Sequence, residues 1–146
     1  MSTPLQTGEG NKILRTRTEE IDLENLSFDL QKFSEEMIET MREEKGAGLA
    51  APQVDKPVRM VVVDFGGEPI IMINPEITFF SKEKHVDTEG CLSLPGDEYL
   101  VERSKKIRIK YIDLEGNKIK DKAKGLHSRI MQHEIDHLNG VLICDK

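Results

Sequence analysis

Cysteine, histidine and long apolar runs are all scarce in this chain of 146 residues. Two cysteines, Cys91 and Cys144, are too few for the disulfide framework of a small secreted scaffold. No apolar run approaches the roughly 18 residues that a bilayer span requires, and the polar stretch 1–11 holds no apolar signal region. A cytoplasmic protein with no membrane partner is therefore expected. Basic excess is lacking too: a net charge of −6 argues against broad contact with a phosphate backbone, so no direct nucleic-acid site is expected. The length suits one domain, 1–146, with its own core, and residues 1–11, rich in Ser, Thr, Gly and Glu, read as a loose leader.

What the chain does hold is a concentrated set of polar groups near its end. Residues 132–137 read Gln-His-Glu-Ile-Asp-His, an HExxH pattern. The spacing of Leu126, Ile130, His133 and His137 predicts a helix over 126–139, which puts both histidines on one face where two imidazoles grip one metal ion. Glu134 projects beside that face, badly placed as a ligand and well placed as a general base toward a metal-bound water. A catalytic site commonly takes three protein ligands and leaves one position open. His127 lies roughly 240° round the helix from His133 and points away. Cys91, in the turn-rich segment 88–95, is the better third ligand, because thiolate binds metals strongly. Cys144, after Val141-Leu142-Ile143, reads as a small structural residue of a short last strand.

Ahead of this helix, Leu30, Phe33, Met37, Ile38 and Met41 recur at helical spacing over 27–45, with Ser27 as N-cap and Gly46 as stop. Then comes a run of small residues, Gly46-Ala47-Gly48-Leu49-Ala50-Ala51-Pro52-Gln53, in which glycine permits close approach and Gln53 has an amide NH₂ to offer a substrate oxygen. Strands follow at 58–64 and 69–73 around Gly66-Gly67, and at 106–112 and 118–120 around Gly116-Asn117. The lysines of that second hairpin read as a solvated face. The fold class is α+β: antiparallel sheets around a central HExxH helix, with one N-terminal amphipathic helix.

Three segments taken together, GAGLAAPQ at 46–53, EGCLS at 89–93 and QHEIDHLNG at 132–140, resemble in that order the three motifs of peptide deformylases. HExxH alone is shared by many zinc peptidases. The three in order, in a resemblance running from about Ile13 to Val141, imply removal of the formyl group from N-formylmethionyl peptides of nascent proteins. The resemblance implies Cys91, His133 and His137 as ligands and Glu134 as the acid/base. It also implies the Leu92 backbone N–H and the Gln53 side chain as oxyanion donors, and Gly48 and Gly90 as backbone partners of an extended substrate. It favours Fe²⁺ as the ion, although Zn²⁺, Ni²⁺ and Co²⁺ suit the same donors. Leu126 and Ile130, about two turns and one turn before His133, are expected in an apolar hole for methionine, with Arg129 on the same side.

Two other readings compete. An HExxH metallopeptidase commonly takes its further ligand C-terminal to the motif, and nine residues follow His137. A non-catalytic, metal-stabilised binding module needs a fourth protein ligand, which is not evident. The chain departs from many family members at Asp55, where they have Gly, and at Glu98, where they have Arg. Asp136, half buried on the HExxH helix, calls for a cationic partner, and Arg103 is expected there, with Glu89 as a competing acceptor. Many family members continue into a basic C-terminal helix that docks on the ribosome. Such a helix does not fit in the six residues after Gly140, so ribosome docking is expected to be weak.

Overall fold

The computed structural model describes residues 3–146. Three helices, α1 (Lys12–Arg15), α2 (Leu30–Glu43) and α3 (Gly125–Leu138), accompany seven strands. These are β1 (Gly48–Ala50), β2 (Met60–Val63), β3 (Ile70–Phe80), β4 (Lys84–Cys91), β5 (Leu94–Ser104), β6 (Lys106–Ile112) and β7 (Lys118–Lys124). Five strands form an antiparallel sheet in the order β1-β2-β3-β6-β7, and β4 and β5 pair separately as a hairpin. The fold is α+β. No described helix is long and apolar enough to cross a membrane.

All four residues of β2 are buried, and strand alternation explains why. Met60 and Val62 join Met37 and Met41 of α2 in one core cluster. Val61 and Val63 join Met131, Ile135 and Leu138 of α3 in another. The sheet therefore carries a helix on each face, and each of these side chains contributes about 1.5–3 kcal/mol by leaving water. On its far side α3 meets the β4–β5 hairpin, so the helix with both histidines lies between the sheet and the hairpin. Its C-terminal end is held by convergent donors. The Leu138 carbonyl accepts from the Thr18 N–H and Oγ1, each at 2.9 Å, and from Arg59 Nη1 at 3.0 Å. These satisfy a terminal carbonyl and place a cation at the negative end of the helix.

Several local expectations need correction. Asp29, not Ser27, caps α2, its Oδ1 accepting from the Lys32 N–H at 3.1 Å. Both residue types cap helices, but Asp29 directly precedes the first inward apolar residue, Leu30. The left-handed turn after α2 falls on Lys45 (φ 57°), not Gly46. Gly46 instead makes room, since a Cβ there would stand 2.9 Å from Leu92 Cδ1. Residues 88–95, read as a turn-rich segment, lie within the β4–β5 hairpin, whose ladder runs from the Lys84–Ser104 pair to the Cys91–Leu94 pair. Val141–Cys144 is not a strand. Ile143–Asp145 forms a 3₁₀ turn, and Leu142 and Ile143 plug a small core with Leu14, Leu94 and Val101. Cys144 is only partly buried in that turn, its Sγ 3.6 Å from Arg15 Nη2.

The leader is corrected as well, although Met1 and Ser2 lie outside the described residues. The Thr3 N–H donates to Thr40 Oγ1 at 2.9 Å, the Gln6 N–H to the Gln53 carbonyl at 2.7 Å, and the Gly8 N–H to the Ser93 carbonyl at 2.9 Å. Leu5 packs on the α2 core. A polar segment with little to bury is thus tied down by its backbone, which composition does not reveal. Asp55 takes φ 64° after the 3₁₀ turn Ala51–Val54, a conformation free of strain only for glycine and tolerated by Asp.

Gly140, with φ 74°, turns the chain after α3 where an added Cβ would overlap the Arg15 carbonyl oxygen. Both backbone strain and collision oppose a side chain there. Gly140→Ala is expected to cost at least about 1–3 kcal/mol. Urea titration checks this, and an unchanged midpoint would contradict the tight packing of the turn on α1.

Candidate metal centre and active-site cleft

Cys91 is the last residue of β4, at a two-residue turn formed by Leu92 and Ser93, and its partner across the ladder is Leu94. The register slips between Gly90 and Cys91: Gly90 faces Glu98, so Pro95, Gly96 and Asp97 are extruded from β5. This bulge opens the hairpin end toward α3. His133 and His137 share one face of that helix, their ring centroids 5.1 Å apart. The Cys91 Sγ lies 3.3 Å from His137 Nε2, and one donor atom from each of Cys91, His133 and His137 falls within 4.8 Å of the others.

These donors suit a divalent ion. Ligands about 2.0–2.3 Å from a tetrahedral centre stand roughly 3.5 Å from each other, close to the sulfur–nitrogen separation seen here. His133 Nδ1 is bonded to Glu89 Oε1 at 2.9 Å, which orients its Nε2 toward the thiol and the second imidazole. Burial, helped by the positive charge of His133 and Arg103, lowers His137 to about 3, so it is a neutral imidazole as a ligand must be. Burial also works against protonation of His133, but the Glu134 charge and hydrogen bonds to Cys91 and Glu89 outweigh it and push the ring up to about 10. The surroundings of His133 thus favour positive charge.

Glu134 has a different environment. Its Oε1 is buried without a hydrogen-bond partner, and burial, only partly offset by His133 and Arg103, raises the carboxyl to about 7. Gly48 lets it sit there: a Cβ on Gly48 would be 2.8 Å from Glu134 Oε2 and 2.9 Å from its Cγ. Gln53 is fixed at both ends of its amide. Oε1 accepts from the Ala50 N–H at 2.9 Å, and Nε2 donates to Ser93 Oγ at 2.9 Å with Cys91 Sγ 3.9 Å away. One N–H of that amide is therefore taken by Ser93, and the expected substrate contact belongs to the other.

Beneath the centre lies a network that sequence reasoning missed in large part. The Glu89 carboxylate accepts from Arg103 Nε (2.6 Å) and Nη2 (2.9 Å), from Arg129 Nη1 (2.5 Å) and from His133 Nδ1. Burial opposes its ionisation, yet hydrogen bonds from His133 and Arg103 and their charge hold it at about 2. Arg103 also donates to Asp136 Oδ2 at 2.8 Å, so Glu89 and Asp136 share this cation instead of competing for it. Arg129 continues to the Val101 and His85 carbonyls. The available signal was Glu89, two residues before Cys91 and so on the same strand face. Arg129 was expected beside the methionine hole and Ser93 closes the 89–93 motif, but nothing in the sequence marks them as partners of Glu89 and Gln53.

A cleft of about 730 Å³ runs over the centre, lined among others by Gly48, Gln53, Gly90, Leu92, Ile130 and Glu134. Leu126 lines it too, and is 67% exposed at the rim. Arg129 borders it but is locked to Glu89, and Glu98 lies at its edge opposite Gly90. His127 stays outside, its ring stacked on Phe65 at 3.9 Å between centroids.

Sequence and fold comparisons agree with one another. The family model for polypeptide deformylase matches residues 7–146. A peptide deformylase of Dictyoglomus thermophilum is 46% identical over 137 residues, 94% of this chain and 88% of that protein. The crystal structure of peptide deformylase from Thermotoga maritima superposes with a TM-score of 0.93 at 42% identity, covering 100% of this chain and 97% of that one. A class I type b peptide deformylase from Acinetobacter baumannii, crystallised with Met-Ala-Ser, gives a TM-score of 0.92 at 33% identity, covering 99% and 98%.

Two substitutions test the geometry. Glu89→Gln leaves two buried guanidiniums short of a carboxylate and is expected to cost about 3–5 kcal/mol at neutral pH. Because the folded-state pKa of Glu89 is depressed, its contribution is full above the ordinary value of 4.5 and is lost as pH falls toward about 2. The stability gap between wild type and variant therefore narrows across that window, and a gap independent of pH would count against the assignment. Gly48→Ala is expected to fold normally but to displace Glu134, lowering kcat by about tenfold or more while the denaturation midpoint stays within about 1 kcal/mol of wild type.

Proposed function

The chain belongs to the peptide deformylase family, and from this premise we propose that Cys91, His133 and His137 hold its metal ion while Glu134 carries the proton. The activity is hydrolysis of the formyl group from N-terminal formylmethionine of newly made polypeptides. The single observation that carries the assignment is the meeting of the three donors within 4.8 Å beside a buried carboxylate oxygen without a partner. A divalent ion in this site supplies Lewis-acid chemistry, acidifying water and polarising a carbonyl. Fe²⁺ is the ion favoured by the family, and the mixed sulfur–nitrogen donor set accepts Zn²⁺, Ni²⁺ and Co²⁺ as well.

Each protein group then has one task. Glu134 takes a proton from the attacking water at its unpartnered Oε1 and returns it to the amine as the formyl C–N bond breaks. The Gln53 N–H not held by Ser93, which faces the Cys91 Sγ at 3.9 Å, and the Leu92 backbone N–H donate to the oxyanion, and losing one such donor typically costs on the order of 10²–10³ in rate. Ser93 keeps the Gln53 amide oriented, and the hydrogen bonds from Gln6 and Gly8 brace Gln53 and Ser93 from behind. Glu89 fixes the tautomer of His133.

Substrate backbone enters between two unpaired strand edges. β1 ends the five-stranded sheet, and β4 pairs only with β5, so Gly48 and Gly90 offer main-chain groups to an extended peptide. Ile130 and Leu126 receive the methionine side chain, in keeping with the Met-Ala-Ser tripeptide held by the A. baumannii relative. Glu98, with Asp97 beside it, gives the outer cleft an acidic lip.

Glu134→Gln is expected to keep stoichiometric metal and lose about 10²–10⁴ in turnover of formyl-Met peptides. Cys91→Ser is expected to bind metal weakly, since an alcohol rarely ionises to match a thiolate. Metal content and rate measured together, on anaerobically handled protein, decide both. Loss of metal from Glu134→Gln, or undiminished affinity in Cys91→Ser, would reverse the roles given to them.

A further inference from the structure

The β6–β7 hairpin carries a charge pattern that catalysis does not use. Ile107 and Ile109 point into the α3 core, which turns Lys106, Arg108 and Lys110 to the opposite, solvent-facing side. Directly across the ladder from these three stand Lys124, Lys122 and Lys120. Lys118 extends the row. Six cations thus face one another in three like-charged pairs, although the chain as a whole carries −6. Seven of its 21 lysines and arginines fall between 106 and 124. Among the described residues, Glu76, 3.4 Å from Lys110, is the one carboxylate within ion-pair reach of the six.

Protection of an open sheet edge is the plain explanation for lysines on β7, the outermost strand. It does not cover β6, which lies between β3 and β7 and has no free edge. Like charges set directly opposite are destabilising, so the pattern on β6 opposes the fold it belongs to. Next to it Phe79 is 47% exposed, and the Arg108 guanidinium lies over its ring, 5.3 Å from the centroid. Cations repeating every second residue, about 6.6 Å along a strand, with an exposed aromatic ring among them, match a chain of phosphates bearing unstacked bases.

We infer that the solvent face of the β6–β7 hairpin, with Phe79, is a docking surface for an RNA phosphate backbone. RNA is preferred over an acidic protein or an anionic membrane on two grounds. The exposed ring has a stacking partner in a base. The substrate of this family is a newly made polypeptide, which leaves a particle whose surface is rich in RNA. The net charge of −6 hides this face, because Asp113 and Glu115 sit in the turn of the hairpin, Asp121 lies out of the lysine row, and most other acids lie elsewhere in the chain. An RNA-docking face runs against the expectations of no nucleic-acid contact and weak ribosome docking, and a measurement of RNA binding decides between them.

The test is fluorescence anisotropy of a labelled single-stranded RNA with the full chain at 50 and 200 mM KCl. Wild type is expected to bind at the lower salt and to weaken about 50-fold at the higher, as about four phosphate contacts require. Arg108→Glu combined with Lys120→Glu and Lys122→Glu is expected to lose at least about tenfold of the low-salt affinity while turnover of formyl-Met peptides is unchanged, which also reports that it folds. Phe79→Ala is expected to weaken RNA binding and leave the salt slope as it was. Absence of RNA binding by wild type at 50 mM KCl overturns the inference, as does equal binding by the charge-reversed chain or binding to phosphatidylserine vesicles without binding to RNA. Failure of wild type to release formate would instead strike at the catalytic assignment and leave the RNA result standing.

Discussion

The carboxylate of Glu89 is the point on which the site depends. It is almost wholly buried, and it accepts hydrogen bonds from two guanidiniums and an imidazole. A buried anion is tolerated only when its lone pairs are met, and here the donors come from β5 and from two successive turns of α3. The strand with the sulfur and the helix with the two imidazoles are thereby fixed to each other by a charge network, with apolar packing on either side. Removing one member leaves at least one buried charge short of a partner, which is why the network holds position more strictly than a hydrophobic contact of the same area would.

The same arrangement explains which parts could be read in advance. Helix α3 was legible because spacing and motif coincide in it: Leu126 and Ile130 recur on the face that carries the histidines, while Met131, Ile135 and Leu138 turn to the sheet. Cys91 was expected beside the histidines by elimination and by resemblance, and its sulfur lies 3.3 Å from His137 Nε2. The β4–β5 hairpin was not, because Val86, Thr88 and Leu100 point outward and charged residues such as Glu89 and Arg103 point inward, inverting the polar-out pattern that marks a strand. The cap of α2 was expected at Ser27, and Asp29, two residues on, is a capping residue type as well. Only the docked position of α2 decides between them. The segment 3–8 was opaque for another reason: its order comes from backbone groups, which every residue carries alike.

Glycines divide by what they make room for. At Gly46 and Gly48 the missing side chain is a steric allowance for Leu92 and for Glu134, whereas Gly140 answers a backbone requirement as well. The small-residue run 46–53 is thus less a flexible connector than a thin wall. It brings β1 close enough for the Glu134 carboxylate to lie against the strand edge proposed to pair with a peptide substrate. Asp55, at the end of that run, keeps a left-handed conformation without glycine, so the departure from the family pattern is absorbed locally in the turn.

The order of the ligands along the chain has a consequence for biogenesis. Cys91 precedes His137 by 46 residues, and α3 is the last helix to be made. Until it leaves the ribosome, the inner face of the sheet, with Val61, Val63, Met72, Ile107 and Ile109, has no cover, and Glu89 has neither Arg129 nor His133. An emerging chain can form the β-ladders early, but it has only a lone thiol to offer a metal. Capture of an ion by the three proposed donors therefore has to await the final helix, because a chain that ends before α3 carries one of the three.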